Sequence, residues 1–181
     1  GNVFVETVQG KGTKFKLVLP LTISNDHSML VDVNEKVVAI PAMMIDQVYS
    51  FKDEIIQKAY HTGKLTVDNE EYSFIYAGHL LGTVNMDVTP EIKLDNQVIK
   101  IKYLNENLML HVNKIEATQE ILVKPLGPVL ARVPGLLGAT LLGDGRQGLL
   151  INPILMKSHY EKYYKNNNIK VVSDEVVVES N

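Results

Sequence analysis

Histidine is the residue type in this sequence best suited to chemistry, because imidazole transfers protons near neutral pH and binds metal ions. No two histidines have the spacing of a metal-binding pair on one helix. A phosphoacceptor histidine needs an exposed position on a helix of a bundle, and only His159 falls in a predicted helix. We therefore expect structural or solvated roles for all five, which are His27, His61, His79, His111 and His159.

Two glycine groups have a superficial likeness to loops that cradle phosphate. Residues 10–13 read Gly-Lys-Gly-Thr and residues 143–146 read Gly-Asp-Gly-Arg. A phosphate loop depends on backbone N–H groups at the start of a helix, and neither group precedes a predicted helix. Both are therefore predicted to be turns. Retained nucleotide binding or phosphotransfer is an alternative that residues 10–13 alone support.

The remaining polar residues do not form a catalytic set. No serine has the strand-to-helix turn of a nucleophile elbow. Asp32, Asp46, Asp68 and Asp144 lie in or beside predicted turns, where hydrogen bonds to the local backbone account for them. The chain has no cysteine, which excludes disulfides and thiolate metal sites and suits a reducing compartment. We expect no catalytic residue, cofactor or metal ion here.

Composition argues against two further classes of partner. The 181 residues carry a net charge of −3 without a cluster of Lys or Arg, which argues against nucleic acid. No apolar run reaches the roughly 18 to 20 residues of a membrane span, and the first residues do not read as a signal peptide, so we expect no direct membrane insertion. The chain begins without Met in what reads as a strand, so we expect a piece of a longer protein.

The elements that must position these residues are mostly short strands. Alternating apolar and polar residues predict hairpins with turn residues between them. The Asp144-Gly145 step supplies the tight turn of the last hairpin. Asn152 followed by Pro153 then predicts the start of a helix. The predicted strand pairs are residues 3–8 with 14–19, 29–33 with 37–40, 64–68 with 71–77, 98–103 with 107–112, and 139–142 with 147–151.

Closely spaced strands with Gly and Pro between them, and almost no helical periodicity, predict small closed or nearly closed barrels. Two such barrels account for the chain length. The turns at residues 34–36 and 104–106 lie in similar hairpins, a short match that hints at a duplicated unit. Residues 169–181 have no turn partner, and we interpret them as a linker or an added strand.

Two apolar stretches, residues 40–48 and 126–142, contain more hydrophobic residues than turns need. They are either ordinary core or a groove for a protein partner, because contiguous apolar surface marks interaction sites. The Ala-Ile-Pro strand end at residues 39–41 is followed by a patch too short to classify by periodicity. From this patch we name Ile45, Val48 and Tyr49 as candidate partner-binding residues of the first barrel.

Several segments, in the right order, resemble one family. Residues 10–22 resemble the junction that closes the ATPase domain of CheA-type chemosensory histidine kinases. Residues 124–128 (Lys-Pro-Leu-Gly-Pro) and 138–146 resemble the end of the CheW-like regulatory domain of those kinases, and residues 39–41 resemble its early strand. Residues 72–82 look more like the twitching-motility hybrids of the ChpA or PilL kind.

The resemblance implies a mainly β fold of two SH3-like five-stranded barrels with a short C-terminal helix. Residues 1–20 would be the terminal hairpin of the preceding ATPase domain and the junction. Residues 21–155 would be the CheW-like domain, with sub-barrels at roughly 21–95 and 96–155. Residues 156–181 would be the C-terminal helix and a linker.

The function implied by the resemblance is regulatory scaffolding in two-component signalling. The domain would bind the CheW adaptor, the cytoplasmic tip of a chemoreceptor and other domains of the parent kinase, in the cytoplasm at membrane receptor arrays. The fragment would not be an enzyme, whereas the parent would be a histidine kinase that uses ATP and Mg. A free-standing CheW-type adaptor is the alternative, against which the kinase-type junction before Pro20 argues.

Overall fold

The structure is a computed structural model that describes residues 2–8, 10, 12–18, 25–84, 96–166, 170–172 and 175–177. Its helices are α1 (Asp53–Thr62), α2 (Ala77–Leu80) and α3 (Pro153–Asn166). Its strands are β1 (Asn2–Val8), β2 (Gly12–Val18), β3 (Asn25–Val33), β4 (Lys36–Pro41), β5 (Ile45–Ser50), β6 (Lys64–Val67), β7 (Glu70–Tyr76), β8 (Gln97–Tyr103), β9 (Glu106–Val112), β10 (Lys114–Lys124), β11 (Leu136–Leu141), β12 (Gln147–Ile151), β13 (Lys170–Val172) and β14 (Glu175–Val177).

The first sheet is a closed barrel with the strand order β10-β11-β12-β4-β3. β3 and β4 form a hairpin whose turn residues, Asn34 and Glu35, have φ angles of 55° and 64°. β12 runs parallel to β4, and β10 runs antiparallel to β3, which closes the barrel. One buried cluster fills its interior and comprises Leu30, Val37, Ala39, Ile121, Leu142 and Leu150.

The second sheet has the strand order β5-β8-β9-β7-β6, with β7 and β9 parallel. Among the described strands, β5 and β6 are its two end strands, and α1 connects them along the chain. Ile56 and Ala59 of α1 pack in one cluster with Phe74, Val98 and Met109 of the sheet. Helix α1 therefore covers one face of the second sheet.

A third and larger apolar cluster joins the two sheets. Val38 of β4 belongs to it, whereas the neighbouring Val37 faces the barrel interior. Ile99 of β8 also belongs to it, whereas Val98 faces α1. Because successive strand residues point to opposite faces, β4 is buried on both sides, which explains its nearly continuous apolar sequence. β8 is buried on both sides at Val98 and Ile99. Ile154 of α3 completes this cluster.

The prediction of a mainly β fold with two five-stranded barrels and a C-terminal helix is confirmed, with one closed barrel and one five-stranded sheet in the form of a half-barrel. The predicted sub-barrel boundary near residue 95 is wrong, because the sheets do not follow the two halves of the chain. β3 and β4 join β10, β11 and β12 in the barrel, and the continuous segment from β5 to β9 forms the other sheet. The parallel pairing of β4 with β12 joins distant parts of the chain, and no local hairpin pattern reveals it. The outer domain boundaries, at residues 20 and 155, stay predictions.

Helix α3 begins where the sequence predicts. The side-chain oxygen of Asn152 accepts hydrogen bonds from the backbone N–H groups of Ile154 and Leu155, both at 3.1 Å. Pro153 occupies the first helical position, where its missing N–H costs nothing. None of the described helices is long and apolar enough to cross a membrane.

Strand β5 and helix α1 occupy a region to which the sequence pattern assigns no element. Lys52, at the N-cap of α1, makes no side-chain capping bond. The helix ends at Gly63, whose φ is 66° and whose N–H donates to the carbonyl of Ala59 at 2.8 Å. This glycine is the sequence signal that marks the helix end.

The two chain ends carry small hairpins. β1 pairs with β2 as predicted, with Val5 opposite Phe15. β13 pairs with β14, so part of the segment interpreted as a linker or an added strand is strand. The predicted junction around Pro20 lies outside the described residues.

Candidate docking surface

The candidate residues Ile45, Val48 and Tyr49 lie in β5, an end strand of the second sheet rather than a strand of the barrel. Their placement corrects the prediction that they belong to the first barrel. The register of β5 shifts beside Asp46, so that Ile45 pairs with Ile101 and Val48 with Ile99.

The register shift decides which of the three candidates share a face. Ile45 and Val48 lie on the face of the sheet that meets the barrel, and Val48 remains 40% exposed. Tyr49 pairs with Val98 on the opposite face, and its ring stacks on that of Phe51 with centroids 5.7 Å apart. The structure therefore brings two of the three candidates together and separates the third.

A groove of about 610 Å³ opens on the outside of the barrel, between β4, β11, β12 and the turn after α2. Ala139, Leu141 and Leu149 supply apolar surface from β11 and β12, and Leu81 closes the side toward the second sheet. Val38 of β4 also lines the groove but is almost fully buried. The volume falls within the roughly 300 to 1,000 Å³ typical of binding pockets.

Exposed leucines extend the apolar surface of the groove across neighbouring strands. Leu141 is 53% exposed, and Leu122, which precedes the paired residue Val123 on the neighbouring strand β10, is 46% exposed. Leu149 on β12 is 37% exposed. These side chains point outward because the alternate positions, such as Gly148 opposite Thr140, lie inside the barrel. Contiguous exposed apolar side chains on a sheet mark a surface that other proteins contact.

An ion-pair network fixes the turn beside the groove. The guanidinium of Arg146 donates two hydrogen bonds to the carboxylate of Glu116, at 2.7 and 2.9 Å, and one to Asp144 at 2.8 Å. Glu116 lies at the register shift of β10. The hydrogen bond from Arg146 lowers the pKa of the Glu116 carboxyl. Hydrogen bonds from the backbone and then the side chain of Arg146 lower the pKa of Asp144.

The glycine group at residues 143–146 is a turn, as predicted, whereas Gly12 and Thr13 of the other group lie in β2. Residues 143–146 connect β11 to β12 and not to a helix, and Gly145 has a φ of 87°. The N–H of Leu142 donates to the carbonyl of Arg146 at 2.9 Å, which closes the hairpin. Gly10 lies in the turn between β1 and β2. Residue 11 lies outside the described part of the chain.

The histidines divide into exposed and buried ones. His27, His61 and His159 are exposed, and His159 lies on α3 as predicted, whereas His79 is buried. His111 is fully buried, and its Nδ1 lies 2.5 Å from the hydroxyl of Tyr60. Among the described residues, no group of three or more acidic, His or Cys side chains could hold a metal ion.

Burial sets the protonation of His111. The ring stacks on Phe74 with centroids 6.0 Å apart and lies beside the rings of Tyr60 and Tyr76. Desolvation lowers the pKa of His111 to about 4. Its Nε2 is buried and has no hydrogen-bond partner among the described residues. The alternating pattern of β9 predicts from the sequence that His111 lies on the face opposite Leu110. Its burial there fits the structural role that we expect for it.

A family model described as the CheW-like domain matches residues 27–159, which is well over half of the chain. Two curated relatives are named chemotaxis protein CheA: one from Treponema pallidum is 28% identical over 153 residues, and one from Bacillus subtilis is 29% identical over 161 residues. Both matches cover 84% of this chain, but only 18% and 22% of the relatives. The chain therefore spans about a fifth of the length of these relatives.

Among solved structures, the scaffolding protein TtCheW from Thermoanaerobacter tengcongensis is similar, with a TM-score of 0.54 and 12% sequence identity. The match covers 71% of this chain and 90% of that chain. At this identity the match shows the fold alone. The comparisons confirm the resemblance to a CheW-like domain of CheA-type kinases, whereas the ChpA or PilL subtype stays a prediction.

Proposed function

The chain belongs to the CheW-like domain family, and on that premise we propose that it is the regulatory and scaffolding domain of a CheA-type histidine kinase. It binds the CheW adaptor, a chemoreceptor tip and other domains of the parent kinase, and thereby controls kinase activity. The whole parent is an ATP- and Mg-dependent kinase, and the domain itself carries no catalytic step. Its place is the cytoplasm, at membrane receptor arrays.

The observation that carries this proposal is the leucine-lined groove on the outside of the barrel. Leu141 and Leu149 stay exposed although the barrel is closed and its interior is filled. Apolar contact at the centre of an interface supplies affinity, while surrounding charges supply specificity. A scaffold needs such a surface, whereas an enzyme would need convergent reactive groups.

A second contact surface is proposed on β5, from the residues that the sequence singles out. Ile45 and Val48 share the face toward the barrel, and Val48 is partly exposed at the end of the sheet. Tyr49 lies on the other face and would contact a partner through a different surface. Two separated surfaces suit a domain that holds more than one partner.

A free-standing adaptor is the second candidate function. The fold is compatible with it, because the structural match to TtCheW covers 90% of that protein. Matches to much longer CheA proteins favour the kinase domain. Sequencing the gene upstream of residue 1 decides between them, because a kinase gene encodes ATP-binding segments there.

The proposed docking is tested by calorimetric titration of the chain with its cognate CheW adaptor and with the receptor's cytoplasmic fragment. We expect association with each, and we expect Leu141→Glu to weaken at least one by tenfold or more, because a buried carboxylate loses its hydration. Leu104→Glu is the matched control, since Leu104 is 80% exposed in the turn between β8 and β9. Absence of both associations at high micromolar concentration would refute the docking function.

A further inference from the structure

The groove takes its lining from two units of the fold. Glu35 and Lys36, at the turn between β3 and β4, belong to the barrel, as do the lining residues of β11 and β12. Leu81 and Thr83 follow α2, which comes directly after β7 of the second sheet. The shape of the groove therefore depends on how the β3–β4 turn is held relative to the turn after α2.

The side chain of Asn113, between β9 and β10, holds the first of these turns. Its Oδ1 atom accepts a hydrogen bond from the backbone N–H of Asn34 at 3.2 Å, and its own backbone N–H donates to the carbonyl of Asp32 at 3.1 Å. Asn34 and Glu35 both have positive φ angles, which residues other than glycine adopt at a cost. The Asn113 acceptor therefore stabilises the turn conformation that places Glu35 at the groove.

The same Oδ1 atom of Asn113 accepts a hydrogen bond from the hydroxyl of Tyr76, the last residue of β7. Tyr76 is fully buried, with 0% of its surface exposed. Because an unpaired buried hydroxyl is unfavourable, this bond holds the end of the tyrosine ring at Asn113. One side-chain oxygen thus joins the second sheet to the β3–β4 turn of the barrel.

The edge of the Tyr76 ring holds the second turn. A Cβ added at Gly78 would lie 2.2 Å from Cε1 of that ring, so the ring packs directly against the backbone of Gly78. The carbonyl of Gly78 accepts hydrogen bonds from the backbone N–H of Thr83 at 2.9 Å and from its hydroxyl at 3.1 Å. The position of Thr83 at the groove therefore depends on the position of the Tyr76 ring.

We propose that Tyr76 and Asn113 are positioning residues of the groove, which hold its two turns at a fixed separation and thereby set its affinity for a partner. Neither residue is among those that line the groove. This inference rests on the proposed docking function and adds residues that act on docking without touching the partner. A hydrogen-bond network alters binding at a distance when it fixes the arrangement of the contact residues.

The test measures, by calorimetry, binding of the full chain to its cognate CheW adaptor and to the receptor's cytoplasmic fragment. Tyr76→Phe removes the hydroxyl and keeps the ring, and we expect it to raise Kd for at least one probe roughly threefold to tenfold. Tyr60→Phe is the matched control, because it removes a hydroxyl that bonds another side chain, His111, away from the groove. It should leave both Kd values unchanged. Urea denaturation verifies that both variants are folded under the titration conditions.

Two further measurements separate positioning from a general loss of stability. In amide correlation spectra measured by NMR, Tyr76→Phe should shift the backbone signals of Asn34 and Thr83, whereas Tyr60→Phe should not. The double variant Tyr76→Phe/Asn113→Ala should bind like Asn113→Ala alone, because both changes remove the same hydrogen bond.

The outcomes distinguish this inference from the docking function. If Leu141→Glu weakens binding while Tyr76→Phe and Asn113→Ala leave every Kd unchanged, the positioning role is wrong and the docking function stands. Additive losses in the double variant would also contradict the positioning role, because the two residues would then act separately. If neither probe binds the wild-type chain, the docking function and this inference fall together.

Discussion

The Tyr60 to His111 pair lies on the face of β9 that α1 covers, in surroundings that favour a neutral imidazole. Burial lowers the pKa of His111 to about 4 in the folded chain, whereas an unfolded histidine has a pKa of about 6.5. Between these values the unfolded chain binds the proton more strongly. The free energy of unfolding is therefore highest above about pH 6.5, where His111 is neutral in both states. It decreases as the pH falls toward 4, by on the order of 3 kcal/mol.

This pH dependence is measured by urea denaturation at several pH values. His111→Leu removes the titrating group, so we expect its free energy of unfolding to vary much less between about pH 6.5 and 4. His159→Gln, at an exposed position of α3, is the control and keeps the wild-type profile. An unchanged slope in His111→Leu would show that another group carries the effect.

Gly135 is a position at which no side chain fits. Its φ is 82°, and an added Cβ would lie 2.6 Å from the backbone nitrogen of Met156 and 2.7 Å from the carbonyl oxygen of Asn152. We expect Gly135→Ala to lower the free energy of unfolding by about 2 kcal/mol or more. Gly143→Ala is the matched control, because nothing lies within 4 Å of its added Cβ, and its effect should stay within about 0.5 kcal/mol. Chemical denaturation compares the two variants.

At the scale of elements, the cap of α3 can be tested alone. Asn152→Ala removes the acceptor for two backbone N–H groups, and we expect a loss of about 1 kcal/mol in the free energy of unfolding. Asn152→Asp retains an acceptor oxygen and should keep most of that stability. Thermal melting monitored by circular dichroism measures both, and equal loss in the two variants would contradict the capping role.

Elements with a strong local signal were predictable from the sequence. The hairpin of β11 and β12 has an Asp-Gly turn, and α3 has an Asn-Pro start, so each is encoded within a few residues. Helix α1 lacks a capping side chain at its start, and the register shift in β5 disrupts the period-two pattern. The shift also explains why Ile45, Val48 and Tyr49 do not form one patch.

The groove was only partly predictable from the sequence, because its lining residues come from strands that are remote in the chain. Residues 126–142 were recognised as more apolar than turns require, and Leu141 belongs to that stretch. Leu149 and Lys36 come from distant parts of the chain, and the parallel pairing of β4 with β12 brings them to one face. A pairing between remote strands follows from closure of the whole barrel and not from neighbouring residues.

At the scale of the whole molecule, the strand order predicts which fragments fold. A fragment of residues 21–95 matches the sub-barrel division that the sequence suggests, but it lacks β8 to β12. Its barrel strands would lose the interior partners Ile121, Leu142 and Leu150. The apolar cluster between the sheets would also be exposed, because Ile99 and Ile101 are absent. We expect this fragment to show no cooperative unfolding transition, since neither core can close.

Residues 25–166 contain both sheets and α3, so they form the matched fragment. We expect them to melt in a single transition, because the large cluster shared by the two sheets couples the unfolding of one to the unfolding of the other. Calorimetry and near-ultraviolet circular dichroism measure the two fragments under the same conditions. A cooperative transition in residues 21–95 would contradict this view, because it would mean that β3 to β7 close a core without the strands that complete both sheets.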